Sequence, residues 1–236
     1  MALSLPQIEQ AAAVYGLVVR GGFRVDGGDA VPLLSDGKQA NTLILFGNAG
    51  SSIWSVFSQS EEFADGKDDP LNRWSERVGR SLAASWGGDA LFPFGEPPYQ
   101  PFLKWGRKSE QLRSSKLGML MHAEYGLWHA YRFALALPQT LDVARLQATS
   151  EGHHCDTCGS KPCLSGCPVD AFDGENYDVE KCFHYLDDHP RAQCHRSGCQ
   201  ARVACPEGRD YRYLPDHAAF HMAKFVDSLR DRFGNG

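Results

Sequence analysis

The stretch Cys155-Asp-Thr-Cys158-Gly-Ser-Lys-Pro-Cys163-Leu-Ser-Gly-Cys167-Pro168, followed by Cys182 and by Cys194-His-Arg-Ser-Gly-Cys199-Gln-Ala-Arg-Val-Ala-Cys205-Pro206, holds all eight cysteines of this 236-residue chain. Three closely spaced cysteines, a fourth before proline, and a second set ending in the same Cys-Pro pair form the pattern by which a chain wraps two [4Fe-4S] clusters. Each cluster needs four thiolates, and the cysteine before proline ligates the other cluster because the chain turns away there. This assigns Cys155, Cys158, Cys163 and Cys205 to one cluster, and Cys167, Cys182, Cys194 and Cys199 to the second. No cysteine is left over for nucleophilic or disulfide-exchange chemistry.

Two other readings of the same residues stay open. Four disulfides would need an oxidising compartment, and no export signal is visible. Two structural zinc sites also fit the count, with His153, His154, His184, His189 and His195 near enough to join. Zinc ribbons do not require the two Cys-Pro pairs. The four residues between Cys158 and Cys163 depart from the usual spacing of two in cluster-binding runs.

The net charge is −5, and residues 151–236 carry 10 Lys and Arg against 14 Asp and Glu, so the excess negative charge lies with the cysteines. An electron-transfer partner is therefore expected to present a basic face there. With no basic stripe, nucleic acid is not expected as a partner. Met1–Gln10 has neither the basic start nor the apolar run of a signal peptide, and no stretch is apolar enough to span a bilayer. A cytoplasmic protein without a membrane contact is expected.

Taken in order, Pro6–Tyr15 reads as a helix capped by Ser4. Leu17–Arg20 and Phe23–Asp26 read as strands turning on Gly21-Gly22. The apolar run Asn41–Phe46 predicts a buried strand. It leads into the turn 47–52 and a helix over Ile53–Ser60, an arrangement in which Gly47, Asn48 and Ser51 are candidates for holding an anion, or simply a tight connection. An acidic loop over Ser60–Asp69, a helix from Pro70 to Trp86, a strand from Asp89 stopped by Pro93, and a helix over Tyr99–Gln111 follow. Leu117–His122 and Ala130–Leu137 read as strands. The loop between them is rich in His122, Glu124, Tyr125, Trp128, His129 and Arg132.

Residues 139–152 read as a linker, Val179–Asp187 as a helix carrying Cys182, and Pro215 opens a last helix. There Met222, Val226, Leu229 and Phe233 share a packing face. His217 and His221 lie one turn apart, as in many metal sites, but without an acidic partner the helix is read as packing. The expected division is 1–150, 151–213 and 214–236.

The segment Gly118-Met-Leu-Met-His122-Ala-Glu-Tyr125-Gly126-Leu-Trp128-His129-Ala-Tyr-Arg132 resembles the His-Pro-x-x-Gly-x-Trp segment of the CblC family of cobalamin-processing proteins. Ala123 stands where that segment has proline. The cysteine block with Asp178-Val-Glu-Lys-Cys182-Phe-His-Tyr-Leu186 resembles the tail of epoxyqueuosine reductases and, more loosely, corrinoid reductive dehalogenases. The resemblance implies an α+β protein: a nitroreductase-like, CblC-like sheet-and-helix domain followed by a two-[4Fe-4S] ferredoxin-like domain. It implies a base-off corrinoid (cobalamin) framed by His122, Tyr125, Gly126, Trp128 and Arg132, with flavin a less favoured cofactor. His122, Tyr125 and His129 are the candidate proton donors.

The resulting expectation is an oxidoreductase that passes electrons from its clusters to cobalt, supplied by a donor such as a flavoprotein or ferredoxin reductase. The alternative is a dicluster ferredoxin that relays electrons or docks a partner without corrinoid. A zinc-bound scaffold is the third reading. The sequence does not specify the oligomeric state.

Overall fold

The computed structural model describes residues 3–110, 112–146 and 154–234. The chain is α+β and divides into two compact units, one of Met1–Gln111 with His129–Ser150, the other of Leu112–Trp128 with Glu151–Gly236. Residues 112–128 thus group with the cysteine-bearing part, whereas the sequence places them within a domain ending at 150. That expected junction, and His153, lie outside the described residues.

In the first unit, α1 (Leu5–Ala13) begins at Ser4, the residue expected to cap it, and the Ser4 backbone N–H donates to Gln7 Oε1 at 2.9 Å in a capping box. β1 (Val18–Arg24) and β2 (Thr42–Ala49) pair antiparallel. The expected hairpin at Gly21-Gly22 is not formed: both glycines lie inside β1, with a register irregularity between Val19 and Gly21 that leaves Arg20 as the bulged residue. The reason is lateral crowding. A Cβ on Gly21 would stand 2.9 Å from the Ser109 and Glu110 side chains, and one on Gly22 2.9 Å from the Leu43 carbonyl.

The helix expected over 53–60 is only α2 (Trp54–Phe57), and the expected acidic loop contains α3 (Glu61–Ala64). Ser60 is extended and accepts from the Phe63 N–H at 3.3 Å, so it caps a new helix instead of continuing the old one. α4 (Pro70–Trp86) and β3 (Asp89–Leu91) follow. α5 (Phe102–Glu110) starts later than the pattern predicts, because Pro101 keeps the residue before it out of the helical region.

After β4 (Arg113–Ser114) and β5 (Leu120–Met121), which belong to the second unit, β6 (His129–Leu137) returns to the first sheet. The strand order is β1-β2-β6-β3, antiparallel throughout. Leu43 and Leu45 of β2 pack with Phe102 and Trp105 of α5, while Phe46 stacks on Phe133 at 5.0 Å, and Gly79 of α4 lies against Phe133. Both faces of β2 are covered, which is why its sequence is a continuous apolar run.

The second unit holds the short helices α6 (His154–Thr157), α7 (Pro162–Ser165), α8 (Val179–Asp188), α9 (Gln193–Ser197) and α10 (Gln200–Ala204), of which α7, α9 and α10 stop at Gly166, Gly198 and Cys205-Pro206. Asp178 caps α8 by accepting from the Lys181 N–H at 2.9 Å. α11 (Pro215–Phe233) lays Met222, Val226, Leu229 and Phe233 against Phe183, Leu186 and Cys194, the face that their spacing predicts. Among the described residues no helix is long and apolar enough to cross a membrane.

Candidate functional site

The eight cysteines gather in the second unit as two groups. Cys155, Cys158, Cys163 and Cys205 line one pocket, together with Leu117, Met121, Leu127 and the charged Lys116, Lys161 and Glu207. Cys205 reaches it from the end of α10, where the chain turns at Pro206. Burial pushes the Cys163 thiol up, and the adjacent Cys155 and Cys158 sulfurs push it further. The Cys205 thiol is raised by burial first, then by Cys163 and Cys155.

The other four are coupled among themselves. Burial raises the Cys182 thiol to about 11, against a hydrogen bond from Tyr177 and with the sulfurs of Cys199, Cys167 and Cys194 adding to the rise. Cys194 and Cys199 are raised by burial and then feel Cys167. Backbone N–H groups face these sulfurs: Ala171 donates to Cys167 Sγ at 3.3 Å, and Gln200 and Arg202 point at Cys194 and Cys199. Buried sulfurs this close repel one another as thiolates, and backbone donors offset only part of that repulsion. A polynuclear cation bound among them would remove it.

Two groups of four cysteines are the number of thiolates that two cubanes would need. Each thiolate of a cubane binds its own iron, so the sulfurs surround a space and do not meet at a point. Among the described residues no group of three or more His, Cys, Asp or Glu side chains could hold a single metal ion.

The loop after β5 is tied to the first cysteine group. His122 bridges to Gly126 through reciprocal backbone bonds of 2.9 and 3.0 Å, and its Nδ1 accepts from the Glu124 and Tyr125 N–H groups at 3.0 and 3.2 Å. Two donors on Nδ1 fix the neutral ring's proton on Nε2. The ring stacks on Tyr125 at 4.2 Å, and Tyr125 meets Tyr211 edge-on at 4.8 Å. Tyr211 donates to Glu124, which pushes its phenol up to about 12. Gly126, at φ +55°, lies directly on the backbone of Glu207 and Gly208, just beyond Cys205-Pro206.

Trp128 is buried under the Arg202 guanidinium, 4.3 Å from its ring, and meets Tyr213 edge-on at 5.4 Å. Arg202 also donates to the Leu127 carbonyl at 2.5 Å. The Trp128 indole Nε1 has no hydrogen-bond partner among the described residues.

The remaining residues singled out in the sequence belong to the first unit. Gly47 and Asn48 are part of β2, and Asn48 Nδ2 donates to the Gly50 carbonyl at 2.8 Å. Ser51 sits in the turn that follows, ahead of an α2 only four residues long. Arg132 donates to Ser75 Oγ at 3.0 Å and Asn72 Oδ1 at 2.9 Å on α4.

His129 opens β6, and its Nδ1 takes a hydrogen bond of 3.1 Å from Arg20. Arg20 is paired in bidentate fashion with Glu110 at 2.9 and 3.1 Å, with neither side chain more than 4% exposed, and Tyr131 donates to the same carboxylate. Burial pushes the Glu110 carboxyl up while Arg20 and Tyr131 oppose it. Neither Arg20 nor Glu110 is singled out by the sequence, because a bulged strand arginine and a helix-end glutamate carry no motif. Tyr177 and Gly208 were equally silent, although Pro206-Glu207-Gly208 is a turn signal.

No protein-family model matches this chain, and no curated protein matches it significantly.

Proposed function

We propose that this chain is an iron–sulfur redox protein that holds two [4Fe-4S] clusters and passes electrons to the cobalt of a bound corrinoid. The observation that carries the cluster assignment is the joining of Cys205 to Cys155, Cys158 and Cys163 in one pocket, with the other four cysteines coupled in a second group. The resemblance of the two stretches to a nitroreductase-like, CblC-like part and a ferredoxin-like part supplies the corrinoid. When bound, the clusters supply one-electron transfer at potentials set by burial and hydrogen bonds to sulfur.

The chain's own residues do the rest. Backbone N–H groups at Ala171, Gln200 and Arg202 hold the second thiolate set, and the clasp of Gly126 on Glu207 and Gly208 ties the His122–Trp128 loop to Cys205. With Nδ1 accepting two backbone N–H groups, His122 carries its proton on Nε2, and Tyr125 is stacked on it. These two residues are the candidates for orienting a ligand and supplying a proton on this unit.

A dicluster relay without corrinoid is the second reading. It is favoured by Arg132 and His129, which the resemblance gives to the corrinoid site or its proton supply but which make hydrogen bonds within the first unit. The test is anaerobic: iron and acid-labile sulfide are counted, then cob(II)alamin is titrated into the protein and followed by EPR. Eight irons per chain and a saturable base-off cobalt signal support the proposal. Eight irons with an unchanged cobalt signal leave the relay, and bound zinc in place of iron overturns both.

A further inference from the structure

α11 carries a second feature that the redox reading does not use. His217 is wholly buried and His221 half-buried one turn later, and their Nε2 atoms stand 3.1 Å apart. Two neutral imidazoles can meet this way only if one presents N–H and the other a lone pair, or if both lone pairs point at a shared cation.

Ring geometry excludes a collinear contact and is compatible with convergence on one ion. A head-on N–H···N bond at this spacing places the ring centroids roughly 5.4 Å apart. Two rings aimed at one ion, each at the usual zinc–nitrogen distance and with their nitrogens 3.1 Å apart as here, hold them about 4.8 Å apart. The observed centroid separation is 4.8 Å, with the planes tilted by 40°.

The surroundings fix the pair. Tyr213 stacks on His217 at 4.1 Å and lies 5.5 Å from His221. The far-reaching Arg202 guanidinium lies over the Tyr213 ring at 4.5 Å. A fixed cation nearby disfavours hard ions held by charge alone, so the affinity must come from imidazole donation, which suits nickel, zinc and copper.

We propose that His217 and His221 form a two-histidine site for an imidazole-preferring transition-metal dication, with solvent or an exogenous ligand completing its shell on the half-buried His221 side. This inference does not depend on the corrinoid or cluster reading. The probe is Ni²⁺, titrated anaerobically by calorimetry into the protein as purified, with iron and sulfide counted before and after so that any exchange at the cysteines is seen.

One Ni²⁺ per chain, with affinity reduced more than about tenfold in His221→Gln, supports the site, since even outer-shell losses reach that size. X-ray absorption of the unaltered protein loaded with Ni²⁺ should show imidazole scattering and no sulfur shell. Absence of binding, equal binding by His221→Gln, or a sulfur shell overturns the proposal.

Discussion

Gly126 and Gly208 meet backbone to backbone: a Cβ on Gly126 would overlap the Glu207 carbonyl, and a Cβ on Gly208 would overlap that of Tyr125. Both glycines also have positive φ, +55° and +66°. This contact joins the loop of His122 and Trp128 to the chain leaving Cys205. Gly126→Ala and Gly208→Ala should each destabilise the second unit by about 1–3 kcal/mol, the usual cost of forcing a methyl into packed structure. Denaturant unfolding followed in that unit checks this. On the proposed two-cluster reading, iron content should fall with it.

Cys205→Ser should damage the group formed by Cys155, Cys158 and Cys163, although it lies 42 residues beyond Cys163 in the chain. On the proposed two-cluster reading, EPR of the reduced variant, together with iron analysis, should show the cluster assigned to Cys167, Cys182, Cys194 and Cys199 retained. Loss of that cluster alone would mean that the crossed assignment is wrong.

Glu110→Ala should cost about 3–5 kcal/mol, because it leaves the buried Arg20 guanidinium without its carboxylate. The double variant Arg20→Met with Glu110→Leu should be markedly milder, since no buried charge remains. A double-mutant cycle by urea denaturation measures the difference.

His122→Phe keeps a ring to stack on Tyr125 but removes the acceptor of two backbone N–H groups. Both bonds are part-buried, so a loss of about 1 kcal/mol is expected, at the low end of the cost of an unpaired donor. His122→Asn returns an acceptor near the Nδ1 position and should recover much of the loss. If His122→Phe proves as stable as the parent in thermal unfolding, the loop does not depend on this capping.

Asp173 accepts from the Glu175 and Asn176 N–H groups at 2.8 and 2.6 Å and from Asn176 Nδ2 at 3.0 Å. These bonds hold its carboxyl down at about 2, below the ordinary 3.8. A depressed folded-state value contributes stability above the unfolded value, lost as the pH falls through 3.8 towards 2. Carboxyl-carbon NMR should show Asp173 titrating last among the turn's acids, and Asp173→Asn should abolish that step.

Local chemistry was written in the sequence wherever one segment decides its own structure. Ser4 with Gln7, Asp69-Pro70, Asp178 ahead of Val179, and the α11 stripe all produced the helices their residues specify. The apolar run of β2 produced a strand buried on both faces. The pairing of Gly21-Gly22 misled, because a glycine pair marks a turn and a close approach equally well. Only the presence of Ser109, Glu110 and Leu43 alongside distinguishes them.

By itself, the sequence determined the α+β class and the starts of α4, α8 and α11, and it pointed to a division of the cysteines into two sets of four, since helix-opening residues, thiolate count and Cys-Pro turns are read within one segment. Tertiary structure decided that residues 112–128 leave the first unit for the second, that Arg20 is buried on Glu110, and that two histidines one turn apart converge at 3.1 Å. Each depends on which distant backbone or charge lies within a few ångströms, and sequence spacing within a segment does not encode that distance.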